Sequence, residues 1–123
     1  MDALRVLLVD DEEELVSTLA ERLKIRGFVA EAVTSGKQAL QQVATAQFDV
    51  VLLDVKMPGL GGIDVLRLLK EHNQSLPVIL ITGHGSAEDG EAGMRQGAFA
   101  YVMKPVNIET LVEKLREAAR ARR

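Results

Sequence analysis

At 123 residues, 47% hydrophobic and 27% charged, the chain is long and apolar enough to bury one core, which argues against disorder and for a single domain over residues 1–123. A net charge of −3 gives no broad electrostatic footprint for nucleic acid or an anionic membrane, and the lack of cysteine removes disulfides and thiolate metal sites. No apolar run approaches the ~20 residues of a membrane helix, and "MDALRVLL" has no separate signal region, so a soluble, cytoplasmic domain is expected.

In chain order, "LRVLLV" (4–9) reads as a first strand, followed by a helix whose Val16, Leu19, Ala20 and Leu23 share one face. Gly27 is a left-handed cap candidate for that helix, and "FVAEAV" (28–33) is the second strand. Ser35 is an N-cap candidate for a second helix, with a stripe of Leu40, Val43 and Ala44. "VVLL" (50–53) is a third strand, "KMPGLGG" (56–62) a long turn, and Val65, Leu66, Leu68 and Leu69 mark a third helix. Pro77 opens a fourth strand, "VILI" (78–81), where its missing N–H does least harm.

Ser86 is the N-cap candidate for the fourth helix, which holds Gly90 and Gly93, each costing about 1 kcal/mol relative to alanine. With a thin apolar stripe, that helix should be the least stable. "FAYVM" (99–103) is the fifth strand, and Asn107 can cap a last helix carrying Ile108, Leu111, Val112 and Leu115. Strand and helix thus alternate five times, and three strands are apolar throughout. That pattern predicts an α/β fold whose parallel sheet is covered on both faces.

In such a sheet the carboxyl ends of all strands share one edge, where ligands bind. The residues at those ends are Asp10 and Asp11, Asp54, Thr82 and Lys104. Three carboxylates so close raise one another's pKa, and a divalent cation relieves the conflict. Oxygen ligands without histidine or cysteine favour magnesium, Mg2+. The cation and Lys104 together balance the three aspartates, so an approaching phosphoryl group is not repelled. A carboxylate is also a workable nucleophile for that group.

The motifs "VDDE" (9–12), "LLDVKMPGLGGID" (52–64), "ITGHG" (81–85) and "YVMKP" (101–105) resemble the receiver domain of bacterial two-component response regulators, over essentially the whole chain and in the right order. The resemblance implies a flavodoxin-like (βα)5 doubly wound sheet of strand order 2-1-3-4-5. It implies Asp54 as phosphoacceptor, with Asp11, Asp54 and the Lys56 backbone carbonyl on magnesium and Asp10 orienting it mostly through water. Thr82 would bond the phosphoryl group, Lys104 would pair with it, and Tyr101 would be the switching aromatic. Lys56 and His84 would flank the attacking water and tune dephosphorylation. Lys104–Pro105 would be a cis peptide.

The implied function is a phosphorylation-operated switch that is no enzyme beyond its own phosphorylation and slow autodephosphorylation. Its partners would be a sensor histidine kinase or phosphotransfer protein upstream and an output domain or downstream protein beyond it. The helix 4–strand 5–helix 5 face, around residues 86–119, would carry the signal. Ala100 stands where many DNA-binding regulators have an acid, so a more apolar contact is expected, with a second copy as a phosphorylation-dependent homodimer or with a separate protein.

The alternative is a magnesium-dependent phosphatase of the haloacid dehalogenase type, which also uses an Asp nucleophile. Its signature, however, spaces two aspartates two apart, and here they are adjacent. A flavin-binding role fits worse, because the first loop offers acids to a phosphate. "GHGSAE" (83–88) has Glu88 where a dinucleotide fingerprint needs glycine or alanine. The arginines of "REAARARR" suit a helix C-terminus better than a nucleic-acid arm. Glu12, Glu13 and Glu14 read as a solvated helix start favoured by the dipole. Asp2, Asp49, Asp64 and Asp89 read as surface residues, and His72 as an exposed helix end.

Overall fold

The computed structural model describes residues 3–57, 59–83 and 87–121. Its elements are β1 (Arg5–Val9), α1 (Glu13–Ile25), β2 (Val29–Val33), α2 (Gly36–Thr45), β3 (Val50–Asp54), α3 (Gly62–His72), β4 (Val78–Thr82), α4 (Ala87–Arg95), β5 (Ala100–Met103) and α5 (Ile108–Ala121). The five strands form one parallel sheet in the order β2-β1-β3-β4-β5. This is the flavodoxin-like arrangement expected from the motifs.

The burial pattern explains why three strands lack alternation. Val6, Leu8, Val50, Leu52, Ile79 and Ile81 point to one face, under α1 and α5. Leu7, Val9, Val51, Leu53, Val78 and Leu80 point to the other, against α2 and α3. Successive strand residues alternate faces, and both faces are covered, so every position must be apolar. β2 lies at the sheet edge and is more open, with Val29 exposed beside buried Ala30.

Local chemistry sets several helix ends. Ser35 Oγ accepts from the Gln38 N–H at 3.1 Å to start α2. Asn107 Oδ1 accepts from the N–H groups of Glu109 and Thr110, each at 3.0 Å, to start α5. Gly27 takes a φ of +92° after α1, the left-handed conformation that favours glycine. The proposed cap Ser86 lies outside the described residues.

The glycines of α4 have a role the sequence did not suggest. A Cβ on Gly90 would sit 2.5 Å from Tyr101 Cδ2, and one on Gly93 would overlap Leu80 Cδ1. Both positions are buried. Their lost helix propensity is the cost of bringing α4 directly onto β4 and β5.

Candidate functional site

β1, β3, β4 and β5 end at one edge, beside the reversal of strand order between β1 and β3. Asp54 and Thr82 are the last residues of β3 and β4, one residue further into the strand than the sequence pattern placed them. Both are buried, as is Asp10 just after β1, while Asp11 is exposed. Carboxylate oxygens of Asp10, Asp11 and Asp54 all lie within 4.8 Å of one another.

Hydrogen bonds lock this edge together. The Asp10 N–H donates to the Val33 carbonyl at 3.2 Å, and Asp10 Oδ1 accepts from the Glu12 N–H at 2.9 Å. Across the sheet, the Lys104 N–H donates to the Thr82 carbonyl at 2.8 Å. The Thr82 hydroxyl donates to the Val102 carbonyl at 3.5 Å, a bond long enough to exchange readily for a better acceptor. The Lys104–Pro105 peptide is cis.

Lys104 extends its ammonium among the acids, 3.1 Å from Glu12, 3.5 Å from Asp10 and 3.7 Å from Asp54. Burial works against its charge, but Glu12, Asp54 and Asp10 outweigh that and hold its pKa above the ordinary lysine value. Burial pushes the Asp54 carboxyl up to about 6, helped by Asp10 and Asp11 and opposed by Lys104 and the Lys56 backbone N–H. Burial also raises Asp10. Asp10 Oδ2 is buried without a hydrogen-bond partner among the described residues. It has only the 3.5 Å ion pair with Lys104, and three clustered carboxylate oxygens face one ammonium, so the donor set fits a hard divalent ion.

Glu12, read as a solvated helix start, is exposed but also has a partner, and Asp49, read as a surface residue, is partly buried. Glu12 is the N-cap residue of α1 rather than part of its first turn, and its Oε1 accepts from Lys104. Asp49 Oδ2 accepts from the Arg5 N–H at 2.7 Å and so ties β1 to the start of β3. Asp64 lies 3.8 Å from Arg67 on the surface, and His72 is exposed with Nε2 3.2 Å from the Val43 carbonyl. Lys56 is exposed, Tyr101 is half-buried with its ring against Gly90, and His84 lies outside the described residues. A cleft of about 470 Å³ beside His72 lies at the amino ends of the strands, away from the acids.

The profile of the response regulator receiver domain matches residues 6–116. The chain belongs to the response-regulator receiver family. This receiver domain is 41% identical over 115 residues to the sensory transduction protein RegX3 of Mycobacterium tuberculosis, covering 94% of this chain and 50% of that protein. It is 41% identical over 116 residues to the transcriptional regulatory protein CpxR of Escherichia coli, covering 94% of this chain and 49% of that protein. The chain therefore spans about half the length of these relatives.

Among solved structures it is similar to a CheY-like receiver domain protein from Methanospirillum hungatei, with a TM-score of 0.92 and 28% identity over 98% of this chain and 97% of that one. The receiver domain is a signalling switch of two-component systems, and the comparisons do not favour the phosphatase alternative. No helix among the described residues is long and apolar enough to cross a membrane.

Proposed function

We propose that Asp54 is the phosphoacceptor of this receiver domain. The observation that carries the reading is its setting: a buried carboxylate at a strand end, crowded by two acids and faced by one lysine. In the transfer, an Asp54 oxygen bonds to phosphorus as the N–P bond of a phosphohistidine breaks and its electron pair returns to the imidazole. Lys104 pairs with the arriving phosphoryl oxygens, and the Thr82 hydroxyl leaves its long bond to Val102 to donate to one of them.

Asp11, Asp54 and the Lys56 carbonyl would hold Mg2+, with Asp10 behind them. When bound, the ion supplies charge neutralisation for both the acids and the phosphoryl group. Lys56 and His84 bracket the approach of hydrolytic water and set the lifetime of the acyl phosphate. The protein catalyses only this self-modification and the slow hydrolysis of the resulting acyl phosphate. Its donors are a sensor histidine kinase or a phosphotransfer protein, in the cytoplasm.

The output face is α4, β5 and α5. Met94 and Met103 are 42% and 39% exposed there, beside half-buried Tyr101, which supports an apolar contact with a second copy or a downstream partner. Incubating the protein with magnesium and acetyl phosphate tests the reading. A labile phosphoryl group should be found on Asp54 by mass spectrometry, and be lost with Asp54→Asn. Continuous catalytic release of phosphate from unrelated monoesters, with no labelled aspartate, would overturn it.

A further inference from the structure

Glu12 occupies the N-cap of α1, where a side-chain oxygen commonly accepts from the N–H two or three residues on. Its carboxylate makes no such bond. It reaches instead to Lys104, 92 residues away in sequence, at 3.1 Å. The same ammonium is 3.7 Å from Asp54, beyond hydrogen-bonding range. The shortest side-chain contact of Lys104 is thus to an acid that is no member of the Asp10, Asp11 and Asp54 cluster.

We propose that Glu12 is a positioning residue that parks Lys104 short of Asp54 in the unmodified domain and so sets how tightly the site holds a phosphoryl group. The inference rests on Asp54 being the phosphoacceptor and adds a competitor for its lysine. A phosphoryl group on Asp54 brings further charge and oxygens, and these draw Lys104 inward. The bond to Glu12 then lengthens or breaks. Whatever Glu12 contributes to the resting arrangement is subtracted from the hold on the phosphoryl group, because linked equilibria share one ligand, here the ammonium. The Glu12 side chain is 64% exposed, so the pair is well screened and the effect on phosphoryl-mimic affinity is about two- to fivefold.

Two simpler roles make different forecasts. If Glu12 acted only as a negative charge near an anion site, Glu12→Asp would keep the wild-type affinity. If it served only the helix, its replacement would change stability and leave affinity alone. Tethering requires reach: the shorter Glu12→Asp side chain, one methylene short of the ammonium, must behave as Glu12→Gln does.

The test is calorimetric titration with beryllofluoride at saturating magnesium. Glu12→Gln and Glu12→Asp should both bind it about two- to fivefold more tightly than wild type. Glu13→Gln, which removes a neighbouring exposed charge, should match wild type. Wild-type affinity in Glu12→Asp, or an equal gain in Glu13→Gln, overturns the tether in favour of a diffuse charge effect. No gain in Glu12→Gln overturns it outright. Should wild type itself take up no beryllofluoride, the phosphoacceptor assignment falls first and the tether with it.

Discussion

Replacing each glycine of α4 by alanine tests whether that helix is weak by composition or shaped for contact. In a free helix either change would stabilise by about 1 kcal/mol. At position 93 the new methyl meets Leu80, which is fully buried in β4 and has nowhere to move. Overpacking of that kind typically costs about 1–3 kcal/mol, so Gly93→Ala should destabilise the domain by a net ~1 kcal/mol. At this chain length that lowers Tm by about 3–6 °C.

At position 90 the methyl meets the ring of half-buried Tyr101, which can swing aside, so Gly90→Ala should leave stability within about 0.5 kcal/mol of wild type. Its signature is a displaced ring. Tyr101 is the sole tyrosine and there is no tryptophan, so intrinsic fluorescence reports on that ring alone. Chemical denaturation and tyrosine emission together settle the matter. A more stable Gly93→Ala protein, or unaltered emission in Gly90→Ala, would show that the close approach does not constrain α4.

Asp54 titrates near 6 in the folded, metal-free protein against 3.8 ordinarily, so it contributes stability below about pH 4 that is lost as pH rises through 6. Asp54→Asn should therefore stabilise the metal-free domain at pH 7 by on the order of 2 kcal/mol, with the advantage vanishing by pH 4; a pH-independent difference in urea denaturation would contradict this. Lys104→Met removes the only cation facing the acids among the described residues, and should tighten magnesium binding severalfold while weakening phosphoryl retention. Weaker magnesium binding in that variant, by calorimetry, would mean that the lysine does not compete with the ion. Replacing Lys56 and His84 together by alanine should change the phosphoryl half-life severalfold with the magnesium requirement intact; an unchanged half-life rejects their role at the water path. Asn107→Ala removes both N-terminal bonds of α5 and should cost about 1 kcal/mol, and a neutral result would mean water replaces the cap.

What could be read from the chain follows the range of each interaction. Unbroken apolar runs announce strands covered on both sides, and strand ends then place Asp10, Asp54, Thr82 and Lys104 on one edge without any knowledge of side-chain contacts. Ser35 and Asn107 were legible as caps because their partners lie within three residues. The paired roles of Glu12 and Asp49 were not. Glu12 meets Lys104 across 92 residues, Asp49 meets Arg5 across 44, and the helix dipole or the solvent accounts for either acid well enough locally.

The glycines of α4 show the same limit from the opposite side. A propensity scale registers what Gly90 and Gly93 cost their own helix, yet the reason for them is a tyrosine and a leucine on neighbouring strands. The consequence bears on switching. With no side chain between the ring and the helix backbone, a ring that swings aside uncovers the face of α4 that rests on β5. Tyr101 against Gly90 is one of the contacts by which α4 rests on β5, and no side chain yields there on the helix side.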